Sequence, residues 1–176
     1  MKKRTKGVIT YLLRDNFTNS EVMTIQYKKG PWKGYFDIPG AELNNEEQIV
    51  ETAISSFKND TGMKIETPSY KGKAIVEYPS EIYEIYIYVT RDYNFLQSPK
   101  NFKEHKAKWM RIDKLVFMKN VFPSIDLLNY LFKDQVDIHM ELDKHAKYLK
   151  VTEKWFTKII FYFSIYSRGS DLYAKR

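Results

Sequence analysis

One stretch of this chain reads as helix with turn chemistry at both ends, and most of what surrounds it reads as strand. That contrast limits the fold to a sheet carrying few helices. Around residues 48–61 the apolar positions Ile49, Ala53 and Phe57, flanked by Val50 and Ile54, recur at helical spacing. Asn44 or Asn45 is placed to cap the start, Glu46 and Glu47 suit the positive end of the helix dipole, and Gly62 is placed to stop it. The face opposite the core holds Glu51, Ser55, Ser56, Asn59 and Asp60, all polar, small or acidic.

Strand patterns flank this helix on both sides. Residues 8–13 and 22–27 are short β-branched and aromatic runs separated by turn-prone residues, and residues 35–38 form another run stopped by Pro39-Gly40. Residues 70–78 and 82–89 make a second strand pair across Pro79-Ser80-Glu81, with so many tyrosines that one face is expected to be partly exposed. Residues 92–108 are polar and irregular, and a strand resumes at Trp109-Met110-Arg111. Pro123 opens a helix expected to run to Phe132. Val136, Ile138, Met140 and Leu142 then alternate with polar residues, so residues 147–151 can return as the second arm of a hairpin. Residues 155–166 place Phe156, Ile159, Ile160 and Phe163 on one helical face.

The chain has 176 residues, 43% hydrophobic and 29% charged, the balance of a single domain that can bury a core. It holds no cysteine, which excludes thiol nucleophiles, disulfides and cysteine-ligated zinc. The first apolar stretch breaks at Arg14-Asp15, too early for an export signal, and no run approaches the length of a membrane span, so a cytoplasmic location is expected. The net charge is +7, with seven basic against two acidic residues from Lys147 to Arg176. Such an end attracts polyanions, including nucleotide phosphates, nucleic acid and acidic lipid. Its aromatic run also suits packing on the domain or a homodimer surface.

Residues 39–63 resemble a Nudix box, the loop-helix-loop pattern G-x5-E-x7-R-E-U-x-E-E-x-G-U preceded by Pro-Gly, where U is a bulky aliphatic residue. The register is gapless: Ala41 falls on the first Gly, Glu47 on the lone Glu, Phe57 and Met63 on the two U positions, and Gly62 on the last Gly. Ser55 replaces the Arg, Ser56 and Asn59 replace two helical glutamates, and Asp60 replaces the last one with a shorter carboxylate. Residues 108–115 resemble the late W-x-x-U-x-E/D-U strand of the same family. The resemblance covers roughly residues 7–132, which implies a Nudix-like domain over residues 1–133 and a basic, aromatic C-terminal extension over 134–176.

The implied fold class is α+β, a mixed β-sheet sandwiched by helices. The implied activity is hydrolysis of a nucleoside diphosphate linked to another group, with Mg²⁺ or Mn²⁺ held by box carboxylates. Hard cations of this kind take several oxygen ligands. Here the candidate metal ligands are Asp60, Asn59, Ser56 and Glu47, so the cation should be held weakly, mostly through the phosphates of a nucleotide-like substrate. Glu47, Asp60 and Glu104 are the catalytic candidates, with His105 beside Glu104 in the loop before Trp109. Trp32 and Lys33, in a turn rich in cations, are candidates to stack on and attract the substrate, together with Gly40 and Ala41 of the box loop. The missing glutamates lean against ordinary catalysis and leave open a second role, a silent Nudix fold that binds a nucleotide, nucleic acid or a protein.

Overall fold

The computed structural model describes residues 2–15, 19–44, 48–131, 133–143 and 148–153. Asn45, Glu46, Glu47, Phe132 and the aromatic run at 155–166 lie outside the described residues. Among the described residues nine strands form the sheet: β1 (Lys3–Asp15), β2 (Ser20–Tyr27), β3 (Phe36–Asp37), β4 (Gly40–Glu42), β5 (Ser69–Glu77), β6 (Glu81–Thr90), β7 (His105–Arg111), β8 (Val136–Leu142) and β9 (Tyr148–Glu153). Their order is β3-β2-β1-β6-β5-β8-β9, with β4 also on β1 and β7 also on β2. Three helices are described: α1 (Ile49–Thr61), α2 (Ile112–Leu115) and α3 (Pro123–Asp126), the last continued by a 3₁₀ turn at Leu127–Tyr130.

β1 organises the architecture. Its N-terminal ten residues, Lys3 to Leu12, run parallel to β6, and its last three, Leu13 to Asp15, run antiparallel to β2. The strand pair expected from its turn chemistry is therefore formed only at its tip. The apolar run at 8–13 is nearly unbroken because both faces of the strand are covered. Tyr11 and Leu13 point into a core with Ile87, Ile125, Leu128 and Ile138, whereas Leu12 meets Phe57 and Met63, and Val8 meets Ala53.

α1 fills the side of β1 carrying Val8 and Leu12, with Ala53 and Phe57 buried. Its N-cap is Gln48, which makes no side-chain capping bond, so neither candidate asparagine serves as the cap residue. The physical reason is that the helix starts later than the cap signal, with Glu51 as the acidic residue of its first turn. Gly62 ends the helix as expected, at φ 73°, and its N–H donates to the Lys58 carbonyl at 2.8 Å.

Two further expectations are corrected. β7 begins at His105, four residues before Trp109, because the end of the polar stretch, residues 105–108, pairs with β2 ahead of Trp109. Pairing partners rather than apolar pattern define that strand. The helix at Pro123 is α-helical for four residues and then tightens into the 3₁₀ turn, ending before Leu131.

β8 runs parallel to β5, and β9 returns antiparallel beside it, so residues 136–153 extend the same sheet. The basic N-terminal residues are part of this framework: Lys3, Arg4 and Lys6 lie in β1, and Lys2 pairs with Glu77 at 2.6 Å. Among the described residues no helix is long and apolar enough to cross a membrane.

Candidate functional site

The turn at Ile38-Pro39-Gly40 joins β3 to β4 and brings a carboxylate to each of its ends. Gly40 donates its N–H to Asp60 Oδ2 at 3.0 Å, tying the last turn of α1 to the loop that precedes it. Burial raises the pKa of Asp60, the Gly40 bond and the nearby His105 oppose the rise, and the net direction is up. His105 Nε2 lies 2.8 Å from the Asp60 carbonyl. A carbonyl can only accept, so this nitrogen carries the proton.

Asp37 stands at the other end of the turn. Its Oδ1 accepts from the Ile38 N–H at 2.8 Å and from the Ser124 hydroxyl, and its Oδ2 accepts from the Tyr27 hydroxyl at 3.4 Å. Desolvation pushes Asp37 up to about 6, with the charge of Asp60 adding to the rise against these hydrogen bonds. Burial, Asp37 and Asp60 in turn push the Tyr27 hydroxyl up. Two carboxylates and a phenol therefore act on one another across the Pro-Gly turn.

An aromatic cluster leads away from this group. The Tyr27 ring lies 5.8 Å from Phe122, which lies 5.2 Å from Trp32 and 5.8 Å from Tyr35, all edge-on. Trp32 is 50% exposed, so part of the indole faces solvent. Lys33 is exposed on the same turn. The neighbouring cations are engaged elsewhere: Lys28 donates to Asn101 Oδ1 at 3.0 Å and to the Phe102 carbonyl, and Lys29 lies 3.3 Å from Glu104. Glu104 is thus an exposed partner of Lys29, while Ala41 sits in β4 opposite Val8.

Ser56 is buried, and its hydroxyl donates back to the Ala53 carbonyl at 3.3 Å. Asn59 is exposed on α1, and Ser55 likewise turns to its own helix, donating to the Thr52 carbonyl. Glu47 lies outside the described residues. Among the described residues no group of three carboxylate, histidine or cysteine side chains is placed to hold a metal ion. Among the described residues the box donors, one carboxylate already accepting a backbone N–H, one exposed amide and one hydroxyl donating to its own helix, do not by themselves fit a resident Mg²⁺ or Mn²⁺.

Sequence reasoning reached Asp60, Gly40 and Trp32 but missed Asp37, Tyr27, Ser124 and Phe122. One signal was present: an acidic residue inside the apolar run Phe36-Asp37-Ile38, where a carboxylate is retained only with partners.

No protein-family model matches the chain, and no curated protein sequence does. Solved structures do. The MutT protein from Bacillus halodurans superposes with a TM-score of 0.68 at 15% identity, over 85% of this chain and 97% of that one. The NUDIX domain of Shewanella oneidensis NrtR, complexed with ADP ribose, gives 0.61 at 14% identity, over 73% and 86%. A C. elegans Ap4A hydrolase gives 0.57 at 15% identity, over 71% and 93%. At these identities the likeness speaks for architecture alone, and it shows that this chain has a Nudix fold.

Proposed function

We propose that this protein is a slow hydrolase of a nucleoside diphosphate linked to another group, acting on substrate that arrives as its own Mg²⁺ or Mn²⁺ complex. The observation that carries the reading is the Asp60–Gly40 bond, because it keeps the one box carboxylate among the described residues against the loop where the family resemblance puts the phosphates. The ADP ribose complex and the Ap4A hydrolase among similar structures support a nucleotide-like ligand. Trp32, half exposed beside Lys33, suits stacking on a base next to a phosphate-attracting cation. A second reading, binding without turnover, is favoured by Ser56, whose hydroxyl is turned into its own helix where the box pattern has a carboxylate.

A phosphate-release screen over nucleoside triphosphates, nucleotide sugars, dinucleoside polyphosphates and capped RNA, with Mg²⁺ and then Mn²⁺, separates the two. Slow, cation-dependent turnover of one class supports the hydrolase. Saturable binding with no release supports the second reading. Rates typical of an intact box would overturn the assignment of the ligand set.

A further inference from the structure

The loop between β6 and β7 carries the two most exposed large apolar side chains of the described surface. Phe95 is 82% exposed and Leu96 is 80% exposed, and they are adjacent at the tip of one turn. The turn is tied in place. Leu96 donates its N–H to Asn94 Oδ1 at 2.9 Å, Gln97 donates its N–H to the Asn94 carbonyl at 2.9 Å, and Gln97 Oε1 accepts from the Lys64 N–H at 2.7 Å. On one side Tyr93 pairs with Ile65 and packs against Trp109 at 5.4 Å, and on the other the Lys100 N–H donates to the Thr61 carbonyl at 2.8 Å. A turn held at both ends presents its apolar tip outward at no further cost in ordering, unlike a single exposed leucine on a flexible loop.

The base of the turn is polar and cationic. A cleft of about 580 Å³ opens there, lined by Lys64, Glu66, Arg91, Asp92, Asn94 and Gln97 among others. The Lys100 stem lies against Gly62, and Lys58 is exposed one turn earlier on α1. Lys58, Lys64 and Lys100 make no ion pair among the described residues, and Arg91 is bound to Asp15. Glu66 and Asp92 temper this charge, and Asp92 is occupied as the acceptor of the Thr67 hydroxyl at 3.1 Å. Apolar side chains ahead of a cationic collar match the layering of an anionic bilayer, hydrocarbon below phosphate.

We propose that this turn is a membrane contact: Phe95 and Leu96 enter the interface of a bilayer rich in anionic phospholipid, and Lys58, Lys64 and Lys100 meet its headgroups. The contact is peripheral and reversible, since two side chains insert and nothing spans. A protein partner with an apolar pocket and acidic rim would use the same tip, and the test separates it.

The chain has no cysteine, so Leu96→Cys in the full-length protein places one environment-sensitive fluorophore at the tip. Ser80→Cys is the control, exposed at the opposite end of β6. With vesicles of phosphatidylcholine and phosphatidylglycerol, the label at position 96 should shift to shorter wavelength and be quenched by lipids spin-labelled in the acyl chain, while the label at position 80 should not. Phe95→Ser with Leu96→Ser should weaken vesicle binding at least tenfold, and Lys64→Glu with Lys100→Glu should do the same at low salt. No vesicle binding by the wild type would overturn the proposal. So would binding with position 96 unquenched, which would assign it to the basic C-terminal residues, or a tip variant that binds vesicles as tightly as wild type. Phosphate release is read on the same samples, so loss of membrane contact and loss of hydrolysis are scored separately.

Discussion

Asp60, in the last turn of α1, accepts the backbone N–H of Gly40, a residue twenty positions earlier, at 3.0 Å. The bond closes the box segment into a loop-helix unit whose two ends touch. Because the carboxylate is partly buried, it acts both as a structural acceptor and as a group whose charge is disfavoured.

Asp60→Ala removes the acceptor and leaves the Gly40 N–H without it, so it should cost about 1–3 kcal/mol in urea unfolding. Asp60→Asn keeps an acceptor oxygen and should cost less than half of that. Both should abolish phosphate release. Turnover that survives in Asp60→Asn would remove this carboxylate from the chemistry.

Asp37 sets a pH dependence of stability. Its pKa, about 6 in the folded protein against an ordinary 3.8, means that the folded state binds this proton more tightly than the unfolded chain. The stabilisation from protonation is complete below pH 4 and is lost as pH rises through about 6. The difference amounts to about 3 kcal/mol at most. The free energy of unfolding of Asp37→Asn, minus that of wild type, should therefore rise between pH 4 and pH 6 and stay level above about pH 7. A flat difference would show that Asp37 titrates normally.

Gly72 lies at the irregularity where β5 meets both β6 and β8, with φ at 137°. A β-carbon there would stand 1.9 Å from the Val136 carbonyl oxygen. Gly72→Ala should cost roughly 3 kcal/mol or more, because backbone strain and a clash with β8 add. Gly30→Ala, at φ 71° with open space around it, should cost about 1 kcal/mol. Equal shifts in the two urea midpoints would mean that β8 does not press on β5 at this point.

Restoring carboxylates tests the box register. Ser56→Glu with Asn59→Glu would put two more carboxylates on the last turns of α1, and Mn²⁺ binding measured by calorimetry should strengthen at least tenfold. Position 56 is buried, so a stability cost of about 1–3 kcal/mol is expected alongside. Unchanged metal affinity in a folded double variant would show that these positions do not converge with Asp60.

Local chemistry made several elements legible from the residues alone. Helical spacing over Ala53 and Phe57 located α1, Gly62 located its end, and the turn at Pro79-Ser80 located the β5–β6 pair. The alternation from Val136 to Leu142 announced β8 in the same way. In each case the signal and the structure it specifies lie within a few residues of each other.

Long-range pairing was not. The parallel alignment of β1 with β6 joins Ile9 to Ile87, and that of β5 with β8 joins Ala74 to Ile138, matches chosen by which faces must be buried together. A polar stretch at 105–108 became strand because β2 offered it a ladder, which no apolar pattern announces. Asp37 gained its importance only when α3 brought Ser124 to one oxygen and β2 brought Tyr27 to the other. The sequence by itself thus determined the helix and the turns, where propensity and spacing act locally. The tertiary structure alone decided strand order and the environment of Asp37, because desolvation and distant hydrogen bonds exist only after the chain has closed.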